Sequence, residues 1–233
     1  DLGAVPEGVA RRARRLFINY PNNPTAATCG LGFFGRVAEF ARRHGIIVCH
    51  DAAYTELAYD GCRPPSFLQA EGAREVGIEF HSLSKTYSMT GWRVGFAVGM
   101  AEVVAGLGRV KSNLDSGIFQ AVQLAGVAAL DGPQGFLAGY LSAYKRRRDA
   151  LVDGLRALGW GVARPNATFY VWARVPGRLS SAEMAGRLLR EAGIVVTPGN
   201  GLGPSGEGYI RMTLTVPEEQ IREAVARIGK MDV

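Results

Sequence analysis

Short apolar runs that end in polar residues recur along the first part of the chain. Four of them read as buried strands: LFINYPNN, GIIVCHDAAY, VGIEFHSLSK and WRVGFAVG. Apolar positions also recur at helical spacing over residues 31–44, 101–113 and 118–130. Strands that are apolar on both faces are typical of a parallel sheet covered by helices. The alternation therefore predicts an α/β domain with a mostly parallel sheet.

The pattern changes after a long helical stretch over residues 133–158, which opens on a proline that suits the first turn of a helix. TFYVWARV and YIRMTLTV alternate like half-exposed strands, and helical spacing returns over residues 181–191 and in PEEQIREAVARI. These elements predict a small α+β unit. We place the boundary inside the long helix, so that residues 1–145 form a large domain and residues 146–233 a small one.

The basic excess does not change this picture. The formal charge is +6, but the densest basic runs, RRARR and KRRR, lack interleaved aromatic residues. They read as solvated helix faces rather than as a nucleic-acid surface. No apolar run reaches the roughly 18 residues that a membrane span needs. We therefore expect a globular protein that binds neither nucleic acid nor a membrane.

The number and spacing of the cysteines indicate the cellular compartment. Cys29, Cys49 and Cys62 are odd in number and lack CxxC spacing, and no export signal opens the chain. Reduced thiols in the cytoplasm are the expected state for a chain of this size. The first residue is Asp1 rather than methionine, so we expect the gene product to extend upstream.

The first candidate site surrounds Lys85. Lys85 ends a predicted strand, Ser82 lies three residues before it, and Arg93 lies eight residues after it. A partly desolvated lysine amine is a nucleophile towards aldehydes, and a guanidinium binds phosphate in bidentate fashion. Taken singly, each of the three is more simply read as a surface or turn residue.

Two other strand ends carry polar side chains. HDAAYTE brings Asp51 and Tyr54 to the end of one strand, where a carboxylate can hold a proton on a buried ring nitrogen and a phenol can donate to a ring oxygen. NYPNNPT supplies Asn23 before Pro24, and an X–Pro bond has an appreciable chance of being cis. The alternative readings are a helix-capping aspartate, a core tyrosine and a plain proline turn.

Hydrolase and metal chemistry find little support. The chain has no G-x-S-x-G turn, and its three histidines, His44, His50 and His81, show no metal-ligand spacing. His50 and His81 read as strand-end residues in the core. Phe169 and Tyr170 read as packing residues, and a position at the edge of a substrate cleft is the alternative. Polar groups that converge at the carboxyl ends of successive strands therefore favour a cofactor site.

With these motifs in place, the chain resembles the class I/II pyridoxal-phosphate-dependent aminotransferases of fold type I. The stretches NYPNNPT, SLSKTYSMTGWRVGFAVG, ATFYVW and GEGYIRMTLT are most similar to the LL-diaminopimelate and aspartate aminotransferase group. The resemblance implies a large domain with a mostly parallel sheet, a small α+β C-terminal domain and a homodimer. It also implies that the family's N-terminal part, which precedes the point matching Asp1, is absent here.

The resemblance assigns the cofactor residues. Lys85 would form a Schiff base with pyridoxal 5'-phosphate and carry the proton from the substrate's α-carbon. Asp51 would pair with the pyridinium nitrogen and keep the ring an electron sink. Asn23 and Tyr54 would hydrogen-bond the ring's phenolic oxygen.

Phosphate and substrate residues follow from the same resemblance. Ser82 and Arg93 would bind the phosphate group. Arg211, in GYIRMTLT, would clamp the α-carboxylate, which its planar fork fits better than a lysine would, and Asn23 would also contact the substrate. Two positions depart from the family pattern. Ala26 replaces the glycine of NPTG, and Ser88 replaces an asparagine.

The implied activity is transfer of an amino group from LL-diaminopimelate, or from an aspartate-like amino acid, to 2-oxoglutarate or a similar keto acid. That reaction belongs to lysine biosynthesis. Two alternatives stay open: a carbon–sulfur lyase on the same cofactor, and a non-catalytic ligand-sensing module or incomplete fragment.

Overall fold

The structure, a computed structural model, describes residues 1–232 and divides them into two compact units. The first unit comprises Asp1–Pro21, Thr28–Ala58 and Arg63–Gln134. The second comprises Asn22–Ala27, Tyr59–Cys62 and the chain from Gly135 onward. The second unit thus begins ahead of the sequence-based boundary near residue 145, and it includes two short segments from the first half of the chain.

The first unit is built on a four-stranded sheet. Its helices and strands are, in chain order, α1 (Glu7–Arg12), β1 (Arg15–Asn19), α2 (Leu31–His44), β2 (Ile47–Asp51), β3 (Gly77–Ser82), α3 (Leu83–Thr86), β4 (Gly95–Gly99), α4 (Ala101–Leu114) and α5 (Gln120–Asp131). The sheet order is β1-β2-β3-β4, with β1, β2 and β3 parallel and β4 antiparallel to β3. A mostly parallel sheet was predicted and is confirmed.

Helix α2 forms over the predicted residues and supplies much of the core of the first unit. It ends at Gly45, which adopts a left-handed conformation (φ +63) and donates its N–H to the Ala41 carbonyl. Every third or fourth residue of α2 is buried, as expected for a helix that covers one face of a sheet. The core cluster consists of Phe34, Val37, Ala38, Ala41, Ile46, Val48, Phe67 and Ala73.

The second unit combines three helices with a small antiparallel sheet. Its elements are α6 (Phe136–Ala157), β5 (Tyr170–Arg174), α7 (Ser181–Ala192), β6 (Thr197–Pro198), β7 (Tyr209–Thr213) and α8 (Glu218–Ile228). The sheet order is β5-β7-β6, and α6 packs against α8. The predicted α+β character is observed. β6 was not predicted because two residues are too short to show a periodic pattern.

Specific polar contacts explain why Tyr59–Cys62 belongs to the second unit. The Tyr59 hydroxyl donates to the Thr168 carbonyl over 2.6 Å, and the Tyr59 N–H donates to the Asn166 carbonyl over 2.8 Å. Arg148, only 1% exposed, donates to the Asp60 carboxylate over 2.7 Å and lies over the Tyr59 ring. The hydrogen bond from Arg148 lowers the pKa of the Asp60 carboxyl. A buried guanidinium requires such partners.

The three cysteines form no disulfide. Burial raises the pKa of the Cys29 thiol to about 11 and also raises the pKa of the Cys49 and Cys62 thiols. All three therefore stay in the less reactive thiol form near neutral pH. Over residues 1–232 no helix combines the length and apolar character needed to cross a membrane.

Candidate functional site

Five of the predicted site residues lie in the first unit. β2 ends at Asp51 and β3 ends at Ser82, and the two parallel strands pair so that Asp51 faces Phe80. Neighbouring parallel strands end at the same edge of a sheet, so Asp51 and Ser82 lie at one edge. The sequence-based prediction that Asp51 closes a strand is confirmed, whereas β3 ends at Ser82, three residues before the predicted end at Lys85.

Lys85 sits on a short helix rather than at a strand end, which corrects the sequence-based expectation. Ser82 caps α3 with its side-chain oxygen, which accepts the Ser84 N–H over 3.3 Å, so β3 stops and α3 begins there. The Lys85 Nζ lies 5.8 Å from the centroid of the Tyr54 ring. Lys85 is half-buried, and Tyr54 is buried. The amine and the phenol ring are thus neighbours.

The backbone brings Arg93 to the same edge as Ser82. The Leu83 N–H donates to the Val94 carbonyl, and Ser82 pairs with Gly95 across β3 and β4. Gly95 allows this approach, because a Cβ there would lie 2.5 Å from the His81 carbonyl oxygen. Arg93 is exposed, and its Nη1 donates to the Thr90 carbonyl over 3.0 Å.

The Asp51 side chain is exposed at the sheet edge. Its Oδ1 accepts the Ala53 N–H over 3.2 Å, and its carbonyl oxygen accepts from Asn19 Nδ2 over 2.9 Å. These bonds orient the Asp51 main chain and one carboxylate oxygen. Among residues 1–232 no group of three or more His, Cys, Asp or Glu side chains is placed to hold a metal ion.

The other two predicted residues, Asn23 and Arg211, lie together in the second unit. Arg211, in β7, donates from Nη1 to the Asn23 side-chain oxygen over 2.7 Å. Its Nη2 donates to Thr197 Oγ1 over 3.3 Å, and its guanidinium carbon lies 4.4 Å from the centroid of the Tyr170 ring. The Asn23–Pro24 peptide bond is cis. The guanidinium is therefore held by a planar ring and two side-chain acceptors.

The sequence did not single out two side chains that the structure shows to be hydrogen-bonded, one beside Arg211 and one inside β3. Thr197, which accepts from Arg211, lies in the two-residue strand β6, and its surroundings in the sequence carry no distinguishing pattern. Glu79 is buried within β3, where it accepts hydrogen bonds from neighbouring side chains. Its signal was present, since a lone acidic residue inside the apolar run VGIEF indicates a buried, partnered carboxylate.

Both departures from the family pattern fall on left-handed backbone. Ala26 has φ +59 and is buried, and Ser88 has φ +54. Glycine adopts this conformation without a Cβ penalty, and asparagine adopts it more readily than serine. The glycine and asparagine of the family pattern are thus the residues that these two positions favour.

Comparison with known proteins gives a consistent result. The family model described as aminotransferase class I and II matches residues 1–228. The LL-diaminopimelate aminotransferase of Moorella thermoacetica is 58% identical over 231 residues, and that of Syntrophobacter fumaroxidans is 59% identical over 231 residues. The alignments cover 99% of this chain but 59% and 60% of these relatives. The chain thus spans about three fifths of their length.

Solved structures agree with the sequence comparisons. Substrate-bound BacF from Bacillus subtilis superposes with a TM-score of 0.96 at 37% identity, covering 100% of this chain and 60% of that one. A probable N-succinyldiaminopimelate aminotransferase from Thermus thermophilus superposes with a TM-score of 0.93 at 40% identity, covering 99% and 62%. The predicted fold class is therefore confirmed.

Proposed function

Because the chain belongs to the class I and II aminotransferase family, whose members use pyridoxal phosphate, we propose that it is the catalytic part of a transaminase. The observation that carries the proposal is the position of Lys85. This amine lies beside the Tyr54 ring, three residues beyond Ser82, and Asp51 closes the neighbouring strand. A carboxylate, an amine, a phenol, a hydroxyl and a guanidinium match the groups that pyridoxal phosphate presents.

The first unit holds the cofactor in this proposal. Bound pyridoxal phosphate supplies an electron sink for the amino donor's α-carbon. Asp51 would keep the ring nitrogen protonated, and Tyr54 would donate to the phenolic oxygen. Lys85 would hold the cofactor through its amine and would move the proton at the α-carbon of the amino donor.

Ser82 and Arg93 would bind the phosphate group of the cofactor. The Ser82 oxygen accepts from the Ser84 N–H, which leaves the hydroxyl proton to donate to a phosphate oxygen. Arg93 is exposed at the same edge and adds a full positive charge. Charge-assisted hydrogen bonds of this kind are among the stronger ones in proteins.

The second unit supplies the residues for the substrate. Arg211 binds the α-carboxylate, because its guanidinium is held against Tyr170 by Asn23 and Thr197 and so presents a fixed fork. The resemblance also assigns Asn23 to the cofactor's phenolic oxygen. Amino acids and keto acids carry the same carboxylate group, so Arg211 can bind first the amino donor and then the keto acid acceptor.

Relatives named LL-diaminopimelate aminotransferase support LL-diaminopimelate as the amino donor. We infer 2-oxoglutarate as the acceptor and a role in lysine biosynthesis. An aspartate-like donor is the nearest alternative. We place the protein in the cytoplasm, where its three unpaired cysteines would stay reduced. By resemblance to its family, we propose that it is a homodimer.

A donor panel tests the proposal. The full-length protein is incubated with pyridoxal phosphate, 2-oxoglutarate and LL-diaminopimelate, aspartate or other amino acids, and glutamate formation is followed. Glutamate is expected with LL-diaminopimelate, and Lys85→Ala should abolish it. Lys111→Ala is the matched control, since Lys111 pairs with Asp115 on an exposed helix end.

The same assay separates the alternatives. Release of a thiol, a keto acid and ammonia from a sulfur-containing amino acid without an acceptor would indicate a carbon–sulfur lyase. Cofactor binding without turnover of any donor would indicate a sensor. Turnover that persists in Lys85→Ala would contradict the assignment of the amine. No turnover of LL-diaminopimelate alongside turnover of aspartate would reject the substrate but keep the reaction.

A further inference from the structure

A buried carboxylate in the first unit lies at the centre of a hydrogen-bond cluster that the proposed reaction does not use. The Glu79 side chain, in β3, is 2% exposed. Its Oε1 accepts from His50 Nδ1 over 2.7 Å and from the Phe67 N–H over 2.7 Å. Its Oε2 accepts from Ser66 Oγ over 2.6 Å and lies 3.4 Å from His81 Nε2. Both oxygens of the buried carboxylate are therefore satisfied.

His50 links this carboxylate to a second strand end. Its side chain is fully buried, with Nδ1 on Glu79 and Nε2 3.0 Å from the Tyr20 carbonyl oxygen. Both ring nitrogens thus face acceptors. A neutral imidazole carries one N–H and satisfies only one of them, whereas an imidazolium satisfies both. The phenyl rings of Phe34 and Phe67 contact the His50 ring edge-on and leave little room for it to turn.

The hydrogen bonds of His50 fix the end of β2, the strand that carries Asp51. Successive side chains of a strand point to opposite faces, so the ring of His50 and the carboxylate of Asp51 lie on opposite faces of β2. The ends of β1 and β2 are joined twice. His50 bonds the Tyr20 carbonyl, and Asn19 Nδ2 bonds the carbonyls of Asp51 and Pro21. Holding the His50 ring therefore holds the backbone that presents Asp51.

We propose that His50, fixed by Glu79, is a positioning residue for Asp51, and that it acts as a doubly protonated ring bridging Glu79 and the Tyr20 carbonyl. The role of Asp51 at the cofactor ring nitrogen rests on the proposed function. The bridge itself does not, so it can be tested without cofactor. The Phe67 N–H requires an acceptor oxygen at the position of Glu79 Oε1, so in a variant without the Glu79 charge an oxygen still faces Nδ1. A neutral His50 then keeps only one of its two bonds, and the end of β2 loses an anchor.

Two variants of the same cluster separate positioning from general stability. Glu79→Gln keeps the shape of the side chain but removes the charge that His50 needs. Ser66→Ala is the matched control, because it removes a bond to the other Glu79 oxygen and a helix-capping bond but leaves both His50 bonds in place. A merely structural role predicts that both variants behave alike.

The first readout uses cofactor-free full-length protein. The Ala53 N–H donates to the Asp51 carboxylate, so its hydrogen exchange reports where that carboxylate lies. Glu79→Gln should exchange at Ala53 about tenfold faster or more, as expected for loss of a charged hydrogen bond. Ser66→Ala should stay within about threefold of wild type. Equal acceleration in both variants, or none in Glu79→Gln, would overturn the proposal.

The second readout is the affinity for pyridoxal phosphate, measured by absorbance well below the melting temperature. Glu79→Gln should weaken it about tenfold or more and Ser66→Ala hardly at all. If wild type binds no pyridoxal phosphate, the proposed function fails, but the Ala53 comparison still decides the positioning role. If Glu79→Gln does not fold, the nitrogen NMR spectrum of wild-type His50 decides instead. Two protonated ring nitrogens at neutral pH support the proposal, and a single N–H contradicts it.

Discussion

The Asn23 side-chain oxygen accepts a hydrogen bond from Arg211 Nη1 over 2.7 Å, although 188 positions separate the two residues. Asn23 follows β1 closely in the sequence, yet it belongs to the second unit with Arg211. The Asn23 oxygen accepts one N–H of Nη1, and Thr197 Oγ1 accepts one N–H of Nη2, so each terminal nitrogen keeps a second N–H for a ligand. Arg211 is thus oriented in advance for a planar, bidentate ligand.

Arg211→Lys tests this orientation. Lysine keeps the charge but loses the fork, the contact with Tyr170 and the bonds to Asn23 and Thr197. We expect kcat/KM for the amino donor to fall about 10- to 100-fold, mostly through a higher KM, as a lost hydrogen bond to a charged group implies.

Steady-state kinetics on donor and acceptor measure this effect. Arg222→Lys is the matched control, since Arg222 pairs with Glu218 on the exposed face of α8, and its kcat/KM should stay within about twofold of wild type. A KM that is unchanged in Arg211→Lys would show that another residue binds the carboxylate.

Ala26→Gly should stabilise the protein. Ala26 is held at φ +59 in a turn where its N–H donates to the Asn22 carbonyl, and a residue with a Cβ loses about 1–2 kcal/mol there. Glycine removes that cost but adds freedom to the unfolded chain and loses the buried methyl group, so the net gain in unfolding free energy is at most about 0.5 kcal/mol.

Denaturant unfolding of Ala26→Gly and Ala27→Gly checks this prediction. Ala27 is exposed and does not have a positive φ, so glycine there adds only unfolded-state freedom and should lower the unfolding free energy by about 0.4–1 kcal/mol. Loss of stability in both variants would show that the turn at Ala26 is not strained.

Acid should lower the free energy of unfolding, because it protonates the Glu79 carboxylate. Burial raises the pKa of this carboxyl, but hydrogen bonds from His50, His81, Ser66 and the Phe67 N–H outweigh burial and hold the pKa below its ordinary value. A lowered folded-state pKa gives stability that is present above the ordinary value of about 4.3 and is lost as the pH falls below it.

Unfolding free energies measured from about pH 5 down to about pH 3 should therefore fall more steeply in wild type than in the double variant His50→Gln/Glu79→Gln, which has no titratable side chain at either position. Parallel curves for the two proteins would mean that Glu79 contributes nothing to the acid dependence.

Much of the fold follows from local pattern. Helix α2 begins and ends where periodicity and Gly45 place it, because an amphipathic stripe and a left-handed glycine are both local signals. The antiparallel direction of β4 depends on how the turn around Arg93 brings Gly95 against His81, which is a tertiary contact. Local sequence carries no record of that contact.

Prediction of the site from local sequence has the same limit. Asp51 was predicted at a strand end because it closes an apolar run, and the structure places it there, whereas β3 ends at Ser82 because the Ser82 side chain caps the short helix that carries Lys85. Thr197 was missed because its bond to Arg211 joins two strands that only the fold brings side by side. Tyr59–Cys62 likewise packs in the second unit because it contacts Arg148 and Thr168, which lie far along the chain.

Reduction of the pyridoxal-phosphate-loaded, full-length protein with borohydride, followed by peptide mass spectrometry, tests the central claim most directly. Borohydride fixes the cofactor to whichever amine holds it, and this chain has only four lysines: Lys85, Lys111, Lys145 and Lys230. The account predicts the pyridoxyl label on Lys85 alone among them. A label on any of the other three, or a cofactor-loaded protein with no label on Lys85, would contradict it.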